Sequence, residues 1–242
     1  MIRINKNILL AQNIDGFLTN REGQLLYSLA KQSVTYGNTV EIGSWKGKST
    51  VWIAQALKDS GKPRIVYAID PHTGSSEHQK DNTKIWTFDE FLKNINKAGV
   101  SSFIQPIVKF SNQAVQDIQG QVGFLFIDGG HEYEFVKQDY ELFAPLVVEG
   151  GYIAFHDTPI PGVNQFITET LPKANVQNVY FTDSLLCARK CLHASNKEKL
   201  KTRIMLWLIN QLQKTCHSKA PKPLRKLSKN LIKLTRDIIC YI

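Results

Sequence analysis

The sequence predicts an open, doubly wound α/β sheet: mostly parallel, seven-stranded, ended by an antiparallel hairpin and followed by basic C-terminal helices. Three observations carry this. Short apolar runs alternate with amphipathic helical patterns from residue 38 onward. The runs are continuously apolar rather than strictly alternating, which marks strands covered by helices on both faces. The last two runs are joined by a link too short for a parallel crossover, so they pair antiparallel.

The elements follow in order. REGQLLYSLAKQSVTYG reads as a helix packed ahead of the first strand, NTVEIG (38–43). That strand runs into the helix GKSTVWIAQALKDSG, which Gly61 ends. RIVYAID (64–70) is the second strand, followed by a polar stretch and a helix with Ile85, Phe88, Phe91, Leu92 and Ile95 on one side. FIQPIVKF (103–110) and VGFLFID (122–128) are further strands, with a short helix, SNQAVQDIQG, between them. EFVKQDYELFAPLVVEGG reads as a helix stopped by Pro145 and the Gly150–Gly151 pair. YIAFHD (152–157), the helix GVNQFITETLP, and the strands VQNVYF and SLLCARK complete the body.

Of 242 residues, 43% are apolar and 21% charged, the balance of an ordinary globular protein. The apolar run Ile8–Ala11 is too short for an export signal, and no window is long and apolar enough for a membrane span. Cys187, Cys191, Cys216 and Cys240 lack paired zinc-ligand spacing and read as reduced structural cysteines, which points to a cytoplasmic protein. The net charge of +9 is uneven: from residue 195 onward 12 Lys/Arg face only Glu198 and Asp237. The chain therefore divides into a near-neutral body, 1–194, and a basic helical extension, 195–242.

VEIGSWKGKST (40–50) first reads as a phosphate loop, but Gly43 and Gly47 enclose three residues where that loop needs four. Glu41, just before it, would repel a polyphosphate and attract an ammonium. A dinucleotide fingerprint fails as well, because its middle glycine is replaced by Trp45. Asp70 ends the next strand, where an acid takes ribose hydroxyls. A ligand with a ribose, a positive centre and no phosphates fits both acids, and S-adenosylmethionine is such a ligand.

Together with AIDPHTG, FLFIDGGHEYEFVKQDYELFAPLVVEGGYIAFHDT and the terminal hairpin, this loop resembles the class I S-adenosylmethionine-dependent methyltransferases over about residues 20–192. The resemblance implies that Glu41, Gly43, Ser44 and Gly47 flank the methionine part, that Asp70 holds the ribose, and that Ser111 and Asn112 contact the adenine. Asp128 lies on the cofactor's edge as well.

FIDGGHEY and AFHDT end adjacent strands, so Asp128, His131, His156 and Asp157 converge on one edge. Carboxylates with imidazoles there suit a divalent cation that lowers the pKa of a bound hydroxyl. The resemblance narrows to the catechol-type and sugar O-methyltransferases, whose magnesium ligands match Asp128, His156 and Asp157. His156 departs from that pattern, since an acid is usual there and histidine is a poorer magnesium ligand. His131 suits a general base on a sugar hydroxyl, which makes Asp128 and His131 the catalytic candidates. Tyr133 and Trp86 are read either as acceptor-pocket walls or as core; His72 and His78 are read as solvated loop histidines, and Lys48 as solvent-facing.

The implied activity is O-methylation of a hydroxyl on a sugar or natural-product glycoside, so the partner is a small-molecule or glycan acceptor. Alternatives are metal-independent N- or O-methylation, cofactor binding without turnover, and an iron-dependent hydroxylation. In the extension, KLKTRIMLWLINQLQK and PLRKLSKNLIKLTRDIICYI are basic and amphipathic. They suit a homo-oligomer contact, or peripheral attachment to the inner membrane surface. Nucleic acid is disfavoured because few aromatics interleave the charges.

Overall fold

The computed structural model describes residues 10–74 and 85–217, with side chains to residue 213. His78, the side chain of Cys216, Cys240 and the second helix expected in the extension lie outside the described residues. Seven strands, β1 (Asn38–Ile42), β2 (Val66–Ile69), β3 (Ile104–Ile107), β4 (Val122–Ile127), β5 (Val147–Phe155), β6 (Val176–Thr182) and β7 (Leu185–Lys190), form one sheet. Their order is β3-β2-β1-β4-β5-β7-β6. All pairs are parallel except β5–β7 and β6–β7. The chain winds outward from β1 to β3 and returns to place β4 on the other side of β1. The carboxyl ends of β1 and β4 therefore flank the switch point, where open α/β sheets bind ligands.

Helices cover both faces: α1 (Asn20–Ser33), α2 (Lys48–Ser60), α3 (Phe88–Lys97), the single turn α4 (Ser111–Ala114), α5 (Tyr133–Phe143), α6 (Pro161–Thr170) and α7 (Asn196–His217). Strand parity assigns each residue to a layer. Phe124 and Phe126 of β4, Tyr152 and Ala154 of β5, and Leu185 and Cys187 of β7 join the core beneath α1, α2 and α3. Leu125, Ile127, Ile153, Phe155, Leu186 and Ala188 join the opposite core beneath α5, α6 and α7. Leu206 and Ile209 of α7 belong to that second core, so the first helix of the basic extension packs on the body.

Three boundaries differ from expectation. The helix expected across 134–151 ends at Phe143, and a 3-10 turn containing Pro145 leads directly into β5 at Val147. The Gly150–Gly151 pair is thus inside a strand, where Gly150 takes φ 81 beside an irregularity in the β4–β5 register. The apolar stripe beginning at Ile85 becomes helix only from Phe88.

Candidate functional site

The turn after β1 is pinned before any ligand is considered. Gly43 has φ 89, and a Cβ there would lie 2.0 Å from the Asp128 carbonyl oxygen, so β1 and β4 approach this closely only with glycine. Lys46 bonds Asp15 at 2.8 Å and Glu90 at 3.1 Å, and its carbonyl accepts from Asn94 Nδ2. Trp45 N–H donates to Asp70 Oδ2 at 2.7 Å. That donor would face the anion in a phosphate loop; here a carboxylate already takes it.

Asp70 is buried at the end of β2, and its other oxygen accepts from His72 N–H at 2.6 Å. Glu41 is fully buried under the loop, where Thr50 Oγ1 donates to Oε2 at 2.5 Å. Its Oε1 makes no well-formed hydrogen bond, although the Ser49 hydroxyl is near enough to favour the anion. Burial wins over both hydroxyls and pushes the Glu41 carboxyl up to about 8. The buried Ser44 hydroxyl also lacks a partner.

Asp128 and His156 follow β4 and β5 with the parity of Phe126 and Ala154, which are paired in register. Their side chains therefore emerge on the same face, that of α1. His156 Nδ1 lies 3.0 Å from Asp128 Oδ1 and 3.2 Å from Asp157 Oδ2. Its Nε2 lies 3.4 Å from Glu22 Oε2 and 3.3 Å from Ser184 Oγ. Burial disfavours the imidazolium, but Asp128, Asp157 and Glu22 outweigh it and raise the pKa far above the usual histidine range. His156 is a buried cation held by three carboxylates.

His131 Nε2 sits 3.2 Å from Asp157 Oδ2. Burial acts to raise Asp157, yet His131 and His156 hold it well below the ordinary carboxylate range. Asp128 shows the reverse: burial raises it against the pull of His156 and His131. One ligand atom each from Asp128, His131 and Asp157 lie within 4.8 Å of one another. Trp45, His72 and Asp157 all have positive φ, 46, 59 and 51. Such backbone strain in non-glycine residues is characteristic of functional sites, and here it rings the ends of β1, β2 and β5.

Ser111 is half-buried at the start of α4, where its hydroxyl favours the Asp139 anion; Asn112 beside it is exposed. His72 is buried rather than solvated: its Nδ1 lies 2.9 Å from Thr87 Oγ1, and Phe88 and Phe91 pack on its ring. The polar stretch that follows Asp70, PHTGSSEHQKDNTK, gave no sign of this packing. Lys48 is half-buried rather than solvent-facing, because the chain before α1 folds over it and Gly16 O accepts from its Nζ at 3.1 Å. Trp86 is half-exposed, whereas Tyr133 turns to Glu169 and Phe166 between α5 and α6.

Three functional neighbours escaped sequence reasoning. Glu22 is the glutamate of a capping box, where Thr19 N–H donates to its Oε2 at 2.8 Å. Only the fold shows its second use on His156. Ser184 N–H and Oγ–H both donate to Glu22 Oε1, at 2.8 and 2.7 Å. Asp139 of α5 is buried beside Gly129, and burial pushes its carboxyl up to about 6.

Residues 40–158 match the family model of a methyltransferase domain. An uncharacterized protein of Acanthamoeba polyphaga mimivirus is 28% identical over 184 residues, 70% of this chain and 77% of that one. Among solved structures, the O-methyltransferase NovP aligns with a TM-score of 0.62 at 14% identity, covering 71% of this chain and 80% of its own. The O-methyltransferase TomG from Streptomyces achromogenes, in complex with SAM, gives 0.57 at 15% identity over 77% and 90%. An O-methyltransferase from Bacillus cereus, in complex with SAH, gives 0.57 at 16% identity over 78% and 93%. At these identities the solved structures establish a common fold.

Proposed function

We propose that this chain, whose residues 40–158 match a methyltransferase-domain model, methylates a hydroxyl oxygen of a sugar or glycoside acceptor with S-adenosylmethionine. The observation that carries the reading is the cluster of Asp128, His131 and Asp157 ligand atoms within 4.8 Å, on the strand ends beside the Gly43 turn.

The cofactor side fits on the chain's own chemistry. Glu41 Oε1 and the Ser44 hydroxyl are buried polar atoms without hydrogen-bond partners under the loop, a cost that a ligand bearing an ammonium and hydroxyls relieves. Glu41, Gly43, Ser44 and Gly47 would hold the methionine part, Asp70 the ribose, and Ser111 and Asn112 the adenine. When bound, S-adenosylmethionine supplies an activated methyl group on a sulfonium. In-line transfer then depends on alignment, which the pinned loop supplies.

His131 Nε2 takes the acceptor's hydroxyl proton, and Asp157 at 3.2 Å stabilises the imidazolium that results. His156, already a cation beside Asp128 and Asp157, keeps those carboxylates from repelling one another. A second reading has its own support: Asp128, His131 and Asp157 offer one ligand atom each for a divalent ion. Such an ion would supply Lewis acidity to the hydroxyl, and the His131 imidazole favours one softer than magnesium.

Calorimetric titration tests the cofactor: S-adenosylmethionine binds and ATP does not, and tight ATP binding sinks the proposal. A glycoside panel with methyl-labelled cofactor, run with and without chelator, separates the two readings. Activity that survives chelation leaves His131 as the base; activity lost to chelation and restored by a divalent ion assigns the metal.

A further inference from the structure

We propose that the outer face of α7 is a docking surface for an anionic lipid bilayer, a role independent of the methyl-transfer reading. The helix has two apolar faces. Thr202, Leu206, Ile209 and Gln213 are buried and close on the body. On the opposite side Leu200, Ile204, Trp207 and Leu208, at i, i+4, i+7 and i+8, are 54%, 50%, 60% and 43% exposed. Exposed lysines and an arginine, Lys197, Lys201 and Arg203, border this stripe.

Among the described residues no helix is long and apolar enough to cross a membrane, so the stripe lies on a surface rather than spanning it. Its greasy centre, half-exposed indole and basic margins are the composition of an interfacial helix. Charge selects the occupant. A second copy would set the same basic margin against itself across a two-fold contact. Residues 218–242 carry seven Lys/Arg and one Asp, so charge does not draw them onto the stripe; it draws them to the same anionic surface. Nucleic acid would meet an apolar centre where it needs polar and cationic groups. An anionic bilayer satisfies the centre and the margins together.

The inner face connects this surface to the site. Gln213 Nε2 donates to Thr158 Oγ1 at 3.0 Å, one residue beyond Asp157, and Asn164 Nδ2 donates both to Thr158 O and to Asn210 Oδ1. Docking α7 would therefore hold the rim of the site at a fixed place relative to the bilayer.

The test uses the full chain and vesicles of phosphatidylcholine, alone or with about 30% phosphatidylglycerol, a fraction chosen to produce a negative surface potential. The chain should sediment with the anionic vesicles and far less with the neutral ones. Ile204→Ser with Leu208→Ser should weaken binding roughly tenfold through lost apolar burial. Lys201→Gln and Arg203→Gln should each weaken it about fivefold. Brominated lipid should quench tryptophan emission in the parent chain, and Trp207→Phe should remove most of that quenching. These side chains are exposed, so the variants should melt like the parent. No sedimentation with anionic vesicles, equal binding of the serine variant, or unchanged quenching in Trp207→Phe would each overturn the proposal. So would a dimer that the serine substitutions dissociate while vesicle binding persists.

Discussion

The Glu22 carboxylate lies 3.4 Å from His156 Nε2, with both side chains sealed from solvent. A capping glutamate of α1 thus also neutralises a cation at the end of β5. Burial acts to raise Glu22, but His156, Ser184 and the Thr19 N–H outweigh it and hold its carboxyl below the ordinary range. Glu22→Gln keeps the shape and removes the charge, so it should cost about 1.5–3 kcal/mol of unfolding free energy. Urea unfolding at neutral pH measures this, and parent-like stability would show that the pair contributes nothing net.

Stability should fall as pH rises from mildly acidic to alkaline. His156 has a raised pKa, so its contribution is full below the unfolded value of 6.5 and declines as pH climbs toward the folded one. Glu41, raised from 4.5 to about 8, keeps its proton when folded across that window, which also makes stability fall with rising pH. Glu22 and Asp157, held low, act at the other end: their contributions are full above 4.5 and 3.8 and are lost as pH falls below. Glu41→Gln should flatten the decline between 4.5 and 8 by up to about 1.4 kcal/mol per pH unit. Urea unfolding across that pH series reads the slope.

Glu41 also makes cofactor binding pH-linked. A protonated carboxyl that gains an ammonium neighbour ionises, so S-adenosylmethionine binding near pH 7 should release protons. Calorimetry in buffers of differing ionisation enthalpy would show it, and the effect should vanish in Glu41→Gln. Buffer-independent heats in the parent would place the ammonium elsewhere.

Gly43→Ala should destabilise the chain by more than about 2 kcal/mol and remove cofactor binding. Its Cβ would meet the Asp128 carbonyl at 2.0 Å with φ at 89. Gly61→Ala is the control: its φ is also positive, at 65, but nothing lies within 4 Å of the added atom. Thermal melts of the two variants should separate strain from collision.

His131→Gln should lower methyl transfer at least about a hundredfold if the imidazole is the base, while S-adenosylmethionine affinity stays close to that of the parent. Labelled-methyl transfer and titration calorimetry together check the split. A loss of cofactor affinity instead would assign His131 to the binding wall.

Much of this was legible in the chain. The apolar runs marked all seven strands, and the short final link marked the antiparallel hairpin. Gly43, Asp70, Asp128 and Asp157 were placed because each ends a strand, and strand ends meet at one edge of an open sheet. The Gly150–Gly151 pair misled because glycine usually stops a helix, whereas here it lets β5 bend beside β4. His72 misled because a polar loop implies solvent, and the aromatic side chains of Phe88 and Phe91 close over it only in the fold.

The sequence by itself determined the layer order, the turn that excludes a phosphate loop, and which acids stand at strand ends, since these depend on local periodicity and spacing. Tertiary structure alone decided what those groups experience. Glu22 meets His156 because strand parity turns His156 toward α1, and α7 shows a second apolar face because its first one is spent on β6 and α6. Periodicity assigns a residue to a face; only packing decides what covers that face and what charge waits there.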